Sequence, residues 1–148
     1  ENVAGIVGMA EALRLAEAQR EQVVAHCTVL RDRLIRGILE TISDSILNGH
    51  PSLRLPNNVN VAFNGIEGES VLLLLDQEGI AASSGSACTS GALEASHVLL
   101  ALGVPHEQAI GTVRLTLGKD STEADVDAVL AVLPRLVAQL RAVAVGSA

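Results

Sequence analysis

At 148 residues the chain has the length of one domain, with room for a helical arm. Hydrophobic residues make up 49% and charged residues 18%, with a mean hydropathy of +0.40, which excludes intrinsic disorder. The 17 acidic groups against 10 basic ones leave a net charge of −7, and a nucleic-acid binder would need a basic face instead.

The first forty residues carry a helical period. Val23, Cys27, Leu30, Leu34 and Ile38 fall at a/d-like spacing, with Arg20, Glu21, Arg31, Asp32 and Arg33 on the rest of the wheel. Ile6, Met9, Ala10 and Leu13 repeat the pattern upstream, so one long helix or two consecutive ones are expected before Ser43. Ser45 to Leu47 reads as a short strand closed by a turn at Asn48-Gly49. From Pro56 the period becomes two. Val59, Val61 and Phe63 alternate with Asn58, Asn60, Ala62 and Asn64, the pattern of a half-buried strand.

Glu69 to Gln77 predicts a short helix stopped by Gly79, and Ile80 to Ala82 a short buried strand. Ser83 to Gly91 is a loop of small residues, and Leu93 to Gly103 is helix-like. Val113, Leu115 and Leu117 alternate with Thr112, Arg114 and Thr116 as a second clear strand. Ser121-Thr122 supplies N-cap chemistry for a last helix with Val126, Leu130, Leu133, Val137 and Leu140 on one stripe. Pro134 lies inside that stripe and predicts a kink or a split. The expected fold is α+β: a small antiparallel sheet covered by helices, with long N- and C-terminal helices packed together or against something else.

The longest stretch without Asp, Glu, Lys or Arg runs from Gly79 to Leu93, short of the roughly 20 apolar residues a membrane span requires. No basic segment followed by an apolar one opens the chain. With only Cys27 and Cys88, far apart, reduced thiols in a cytoplasmic setting are expected.

Cys88 sits in Ser83-Ser84-Gly85-Ser86-Ala87-Cys88-Thr89-Ser90-Gly91, where no large side chain packs the loop down. Such a segment suits a thiol that must approach a substrate or hand something to a partner. By spacing alone an incidental thiol is an equal reading; Cys27, on its helical stripe, is core filler. Arg114 is a guanidinium on the polar phase of a strand, a rigid fork suited to a carboxylate. A surface arginine paired with one of the many acids is the simpler reading of the residue alone. His26, His50, His97 and His106 show no metal-ligand spacing. The single lysine, Lys119, lies in a turn, a poor place for a desolvated amine, and Phe63 is the single aromatic ring.

The run Ser83 to Ser90 resembles the active-cysteine loop of the cysteine desulfurases of the nitrogenase and iron–sulfur-assembly type, pyridoxal-phosphate enzymes of the class V aminotransferase group. Glu1 to Gly8, Asn58 to Phe63, Glu67-Gly68-Glu69-Ser70 and Val113 to Gly118 resemble further family segments in the family's order and spacing. The branch with a short loop and a histidine beside its cysteine fits less well than the long-loop branch. The resemblance implies that a thiolate carried over onto Cys88 takes sulfur from free L-cysteine, giving alanine and a persulfide that passes to an iron–sulfur scaffold or another acceptor protein. Ser83, Ser84, Gly85, Ser86, Ala87, Thr89 and Ser90 correspond to the flexible catalytic loop. Arg114 matches the arginine that holds the substrate carboxylate. Asn2 follows the position of a threonine that contacts the cofactor phosphate across the dimer, which makes it a minor binding candidate.

The family's cofactor lysine, stacking histidine and pyridine-nitrogen aspartate belong to a larger upstream domain. The resemblance therefore implies a fold-type-I C-terminal small domain over residues 43–148, carrying the cysteine loop 83–91, preceded by a connecting helix region over 1–42. The opening at Glu1, with Met9 as the sole methionine, fits a piece of a longer enzyme. The expectation is a piece inactive by itself, with no covalently bound cofactor, from a cytoplasmic homodimer with no nucleic-acid or membrane partner. Two other readings stand beside it: another class V transferase or lyase with an incidental thiol, and a stand-alone sulfur carrier or interaction module.

Overall fold

The computed structural model describes residues 1–84 and 95–146. The chain opens with helix α1, Val3–Thr41, unbroken over 39 residues. Asn2 caps it, its Oδ1 accepting the Gly5 amide at 3.0 Å. Ile42 turns extended and Asp44 adopts a positive φ of 51°, which redirects the chain into strand β1, Ser45–Leu47. Strand β2, Asn58–Phe63, and helix α2, Gly68–Gln77, follow. Two five-residue helices come next, α3 at His97–Ala101 and α4 at His106–Ile110, then strand β3, Thr112–Thr116, and helix α5, Glu123–Gly146.

The three strands form one antiparallel sheet in the order β1-β2-β3. Leu47 opposes Val61, and Asn60 opposes Arg114. The period-two pattern of β2 and β3 divides the sheet into two unlike faces. Val59, Val61, Phe63, Val113 and Leu115 are buried in the core with Leu30, Leu34 and Ile38 of α1, Val71 and Leu75 of α2, and Val126, Leu133 and Val137 of α5. The opposite face carries Asn58, Asn60, Ala62, Thr112, Arg114 and Thr116; α4 packs against β2 there. The helices thus cover one face fully and leave the polar face partly open.

Two glycines allow the layers to approach. A Cβ at Gly111 would lie 2.7 Å from the Phe63 carbonyl oxygen and 2.9 Å from that of Ile66. At Gly68 it would collide with the Thr112 carbonyl. Both contacts are with backbone, which cannot swing aside, so glycine is needed at Gly68 where α2 meets β3 and at Gly111 where the chain passes the end of β2 and the Ile66 turn.

The α+β architecture with long terminal helices is as the sequence implies, with local differences. Residues 80–82 form no strand; among the described residues this segment pairs with β3 only at Ser83, in an isolated bridge to Arg114. The helix-like stretch 93–103 is helical at His97–Ala101, and its residues 93–94 lie outside the described residues. Helix α4 has no counterpart in the sequence pattern. α5 runs without a split through Pro134, because Leu133, Leu136 and Val137 are buried on either side and packing holds the helix across the missing amide. The N-cap expectation at Thr122 holds: its Oγ1 accepts the Asp125 amide at 3.2 Å, and the Asp125 carboxylate accepts the Thr122 amide at 2.7 Å.

Candidate functional site

The open face of the sheet carries a row of four polar residues, one from each successive segment: Asn48, Asn60, Arg114 and Ser83. Asn48, just past β1, donates its amide to the Asn60 carbonyl at 2.9 Å. Asn60 and Arg114 are cross-strand partners. Beyond β3, the Ser83 amide donates to the Arg114 carbonyl at 3.0 Å and the Arg114 amide returns to the Ser83 carbonyl at 2.6 Å. Arg114 Nη2 also donates to Ser83 Oγ at 3.3 Å, whose proton goes to the Ser84 carbonyl at 2.8 Å. Ser83 and Ser84, the first two residues of the small-residue run, therefore lie beside the arginine.

Arg114 is half-buried, and no carboxylate pairs with it among the described residues. The other arginines mostly do find acids: Arg14 with Glu11, Arg20 with Glu17, Arg31 with Asp32, Arg33 with Glu123 and Asp127, and Arg135 with Glu78. In a chain with this excess of acid, a strand-mounted guanidinium without one is available for a ligand carboxylate. It lines a cleft of about 250 Å³ shared with Arg54, Asn48, Asn58, Asn60 and Ser96, with Leu55, Val98, Leu99 and Leu102 as apolar walls. Two guanidiniums and no carboxylate line it among the described residues, so the cleft is electropositive.

Arg54 is held differently from Arg114. Its Nη1 donates to the His50 carbonyl at 3.4 Å and its Nη2 to the Asn48 carbonyl at 3.2 Å, while its buried Nε has no partner. Burial first, and then the Arg31 charge, pull its pKa below the ordinary guanidinium value; Asp32 opposes them. Behind the row lies a buried amide network. Thr112 Oγ1 donates to the Gln108 carbonyl at 3.2 Å and accepts from Asn48 Nδ2 at 3.2 Å. Asn48 Nδ2 also donates to Asn60 Oδ1 at 2.8 Å, and Asn48 Oδ1 accepts from Gln108 Nε2 at 3.1 Å.

Of the sequence candidates, Arg114 and Ser83 are brought together, with Ser84 following. Gly85, Ser86, Ala87, Cys88, Thr89 and Ser90 lie outside the described residues. Asn2 serves as the α1 cap and does not line the cleft. Cys27 is core, 1% exposed, with its thiol toward the Gly118 carbonyl at 3.5 Å. His26 meets the Ser121 carbonyl at 2.7 Å, and His50 Nδ1 accepts the Leu53 amide at 2.9 Å. Among the described residues no group of His, Cys, Asp and Glu could hold a metal ion, and no helix is long and apolar enough to cross a membrane.

The sequence reading missed Asn48, Asn60 and Arg54. The signal was present in β2, where both polar-phase residues entering the cleft are asparagines rather than the exchangeable polar residues of a solvated strand face.

The chain's residues do not fit pyridoxal phosphate by themselves. Lys119 is exposed, pairs with Asp120 at 3.0 Å and lies away from the Arg114 cleft, lining a different depression with His26. Phe63, the only Phe, Tyr or Trp of the chain, is 2% exposed in the core, and none of the four histidines lines the Arg114 cleft. Segment 85–94 contributes neither lysine nor aromatic residue.

Residues 1–129 match the family model described as aminotransferase class-V. The chain is 57% identical over 141 residues to a cysteine desulfurase IscS from Methanosarcina thermophila and 50% identical over 141 residues to a cysteine desulfurase from Gluconacetobacter diazotrophicus. Each alignment covers 95% of this chain and 35% of the relative, so the chain spans about a third of their length. Among solved structures, a NifS-like protein superimposes with a TM-score of 0.81 at 31% identity, covering 95% of this chain and 35% of that one. With the family match running over most of its length, the chain belongs to the class V aminotransferase family.

Proposed function

We propose that this chain is the part of a cysteine desulfurase that grips the substrate's carboxylate and supplies the sulfur-accepting thiol. The observation that carries the reading is Arg114: half-buried, without an acid among the described residues, facing an electropositive cleft, and hydrogen-bonded to the first residue of the Ser83 to Ser90 run. Relatives at 50–57% identity bear that activity in their names. In this reading residues 43–148 are the small domain and 1–42 the helix region that joins it to the rest of the enzyme.

The overall change is L-cysteine plus the Cys88 thiol giving L-alanine plus a Cys88 persulfide. The carbon–sulfur bond of cysteine breaks, a sulfur–sulfur bond forms, and a proton adds to the former Cβ to complete the alanine methyl; the carbon is reduced by the two electrons that the sulfurs give up, so no external oxidant is needed. Arg114 orients the amino acid by its carboxylate. Cys88 acts as the thiolate, and an iron–sulfur scaffold or other acceptor protein then takes the terminal sulfur. Pyridoxal phosphate would be held by the remainder of a cytoplasmic homodimer and would supply the electron sink; no lysine lines the Arg114 cleft among the described residues, and the piece alone is inactive.

In the enzyme carrying this sequence, Cys88→Ala is expected to abolish alanine and sulfide formation while cofactor absorbance remains. Arg114→Met is expected to lower kcat/KM for L-cysteine about a hundredfold, the effect of losing a charged two-pronged contact. Unchanged turnover in the Cys88 variant ends the thiol reading. Mixed with pyridoxal phosphate, the 148-residue chain is expected to show no stoichiometric, borohydride-reducible cofactor band; such a band would reveal a cofactor-holding lysine in this chain and overturn the claim that it has none.

A further inference from the structure

We propose that Asn60 is a second hydrogen-bond donor to the substrate carboxylate, and that Asn48 is a positioning residue that fixes which end of the Asn60 amide faces the cleft. The inference rests on the carboxylate reading of Arg114 and extends it to two residues with no charge.

The orientation follows from one unambiguous acceptor. The Gln108 main-chain carbonyl can only accept, so Thr112 Oγ1, 3.2 Å away, donates to it. Having spent its proton there, the Thr112 hydroxyl can only accept from Asn48, which requires the Nδ2 end of Asn48 on that side. Gln108 Nε2 donates to Asn48 Oδ1 at 3.1 Å, in keeping with that orientation. The same Asn48 Nδ2 donates to Asn60 Oδ1 at 2.8 Å. Asn48 is 5% exposed and Thr112 1%, so water does not compete for the contact between them.

The carbonyl end of Asn60 is thus occupied, and its NH₂ end makes no hydrogen bond among the described residues. Asn60 lines the cleft directly across the strand pair from Arg114. The result is a donor-only wall of one guanidinium and one amide NH₂. Such a wall accepts a carboxylate and disfavours a carboxamide, whose own NH₂ would face donors.

The test uses the ¹⁵N-labelled 148-residue chain and follows the Asn60 side-chain NH₂ and the Arg114 Nε–H during titration with L-alanine, and with L-alaninamide as the control lacking a carboxylate. L-alanine is expected to shift both signals along one saturation curve, and L-alaninamide neither. Asn48→Asp, which presents acceptors to Asn60 and turns its amide around, is expected to weaken L-alanine binding about tenfold and silence the Asn60 response. Gln108→Glu, at a half-buried position that leaves the core intact, is expected to weaken binding in the same direction and serves if the buried substitution unfolds the chain. An Arg114 response without an Asn60 response, or unaltered affinity in the folded variants, overturns the inference while leaving the Arg114 reading standing. Silence from both residues overturns the Arg114 reading and this inference with it.

Discussion

Helix α1 is one continuous element with two unlike halves. Every residue from Glu1 to Gln22 is exposed, including Ile6, Val7, Met9 and Leu13. From Cys27 onward Leu30, Leu34, Ile35 and Ile38 are buried against the sheet and α5. The apolar period is the same on both sides, so periodicity sets the helix and the stripe, whereas burial requires a surface to receive it. The first half is an arm whose stripe is not covered by the described residues; the second half is a wall of the core.

The largest test of that contrast exchanges one apolar side chain in each half. Leu34→Ala is expected to lower the unfolding free energy by about 2–5 kcal/mol, since it opens a cavity at a residue 1% exposed. Ile6→Ala, at a residue 54% exposed, is expected to stay within about 0.5 kcal/mol. Urea unfolding of the two variants measures both. A comparable loss at Ile6 would place a receiving surface on the arm. The helix caps give a smaller version of the same comparison. Thr122→Ala at α5 is expected to cost about 1 kcal/mol of global stability. Asn2→Ala at the arm is expected to leave the unfolding midpoint unmoved while speeding amide exchange in the first turns of α1.

How much of this was legible depends on what each feature rests upon. The long helices and β2 and β3 follow from residues within a few positions of one another, and their periods read directly. The Ile80 to Ala82 run has the composition of a buried strand, yet among the described residues this segment pairs with β3 only at Ser83, and no local pattern encodes that. Helix α4 is one turn of His106 to Ile110, too short for a period to show. Arg114 stands out as a charge among apolar neighbours. The Asn48–Asn60 contact does not, because residues twelve apart meet only through the β1–β2 register, which brings the end of β1 against β2.

Two glycines sharpen the contrast further. At Gly8 an added Cβ meets nothing within 4 Å, so Gly8→Ala is expected to gain about 0.5–1 kcal/mol of helix propensity, seen as slower exchange in the arm. At Gly37 the Cβ would lie 2.6 Å from Leu130 Cδ2 and 2.7 Å from Cδ1. The same substitution there forces Leu130 out of its seat between α1 and α5, and the propensity gain is expected to vanish. Thermal unfolding combined with hydrogen exchange separates the two. A stabilising Gly37→Ala would show that the α1–α5 seam has slack.

The smallest effect concerns two carboxylates held below their ordinary pKa, one in each region. In the arm, Glu11 is lowered by its hydrogen bond from Arg14; at the head of α5, Asp125 is lowered by the Thr122 backbone amide and then by its hydroxyl. A carboxyl whose folded pKa is depressed contributes stability that is present above its unfolded pKa and lost as pH falls through the folded value. Both contributions are therefore complete near neutrality and disappear on acidification below the ordinary carboxylate range. The readouts differ by region. Asp125 caps a helix built into the core, so its protonation is expected to lower the global unfolding midpoint, and the gap between the native chain and Thr122→Ala should close as pH falls. Glu11 sits on the exposed arm, so Glu11→Gln is expected to leave the midpoint unchanged at every pH and to alter only exchange around residues 8–14. A midpoint that follows Glu11 would join the arm to the cooperative unit and erase the boundary near Val23.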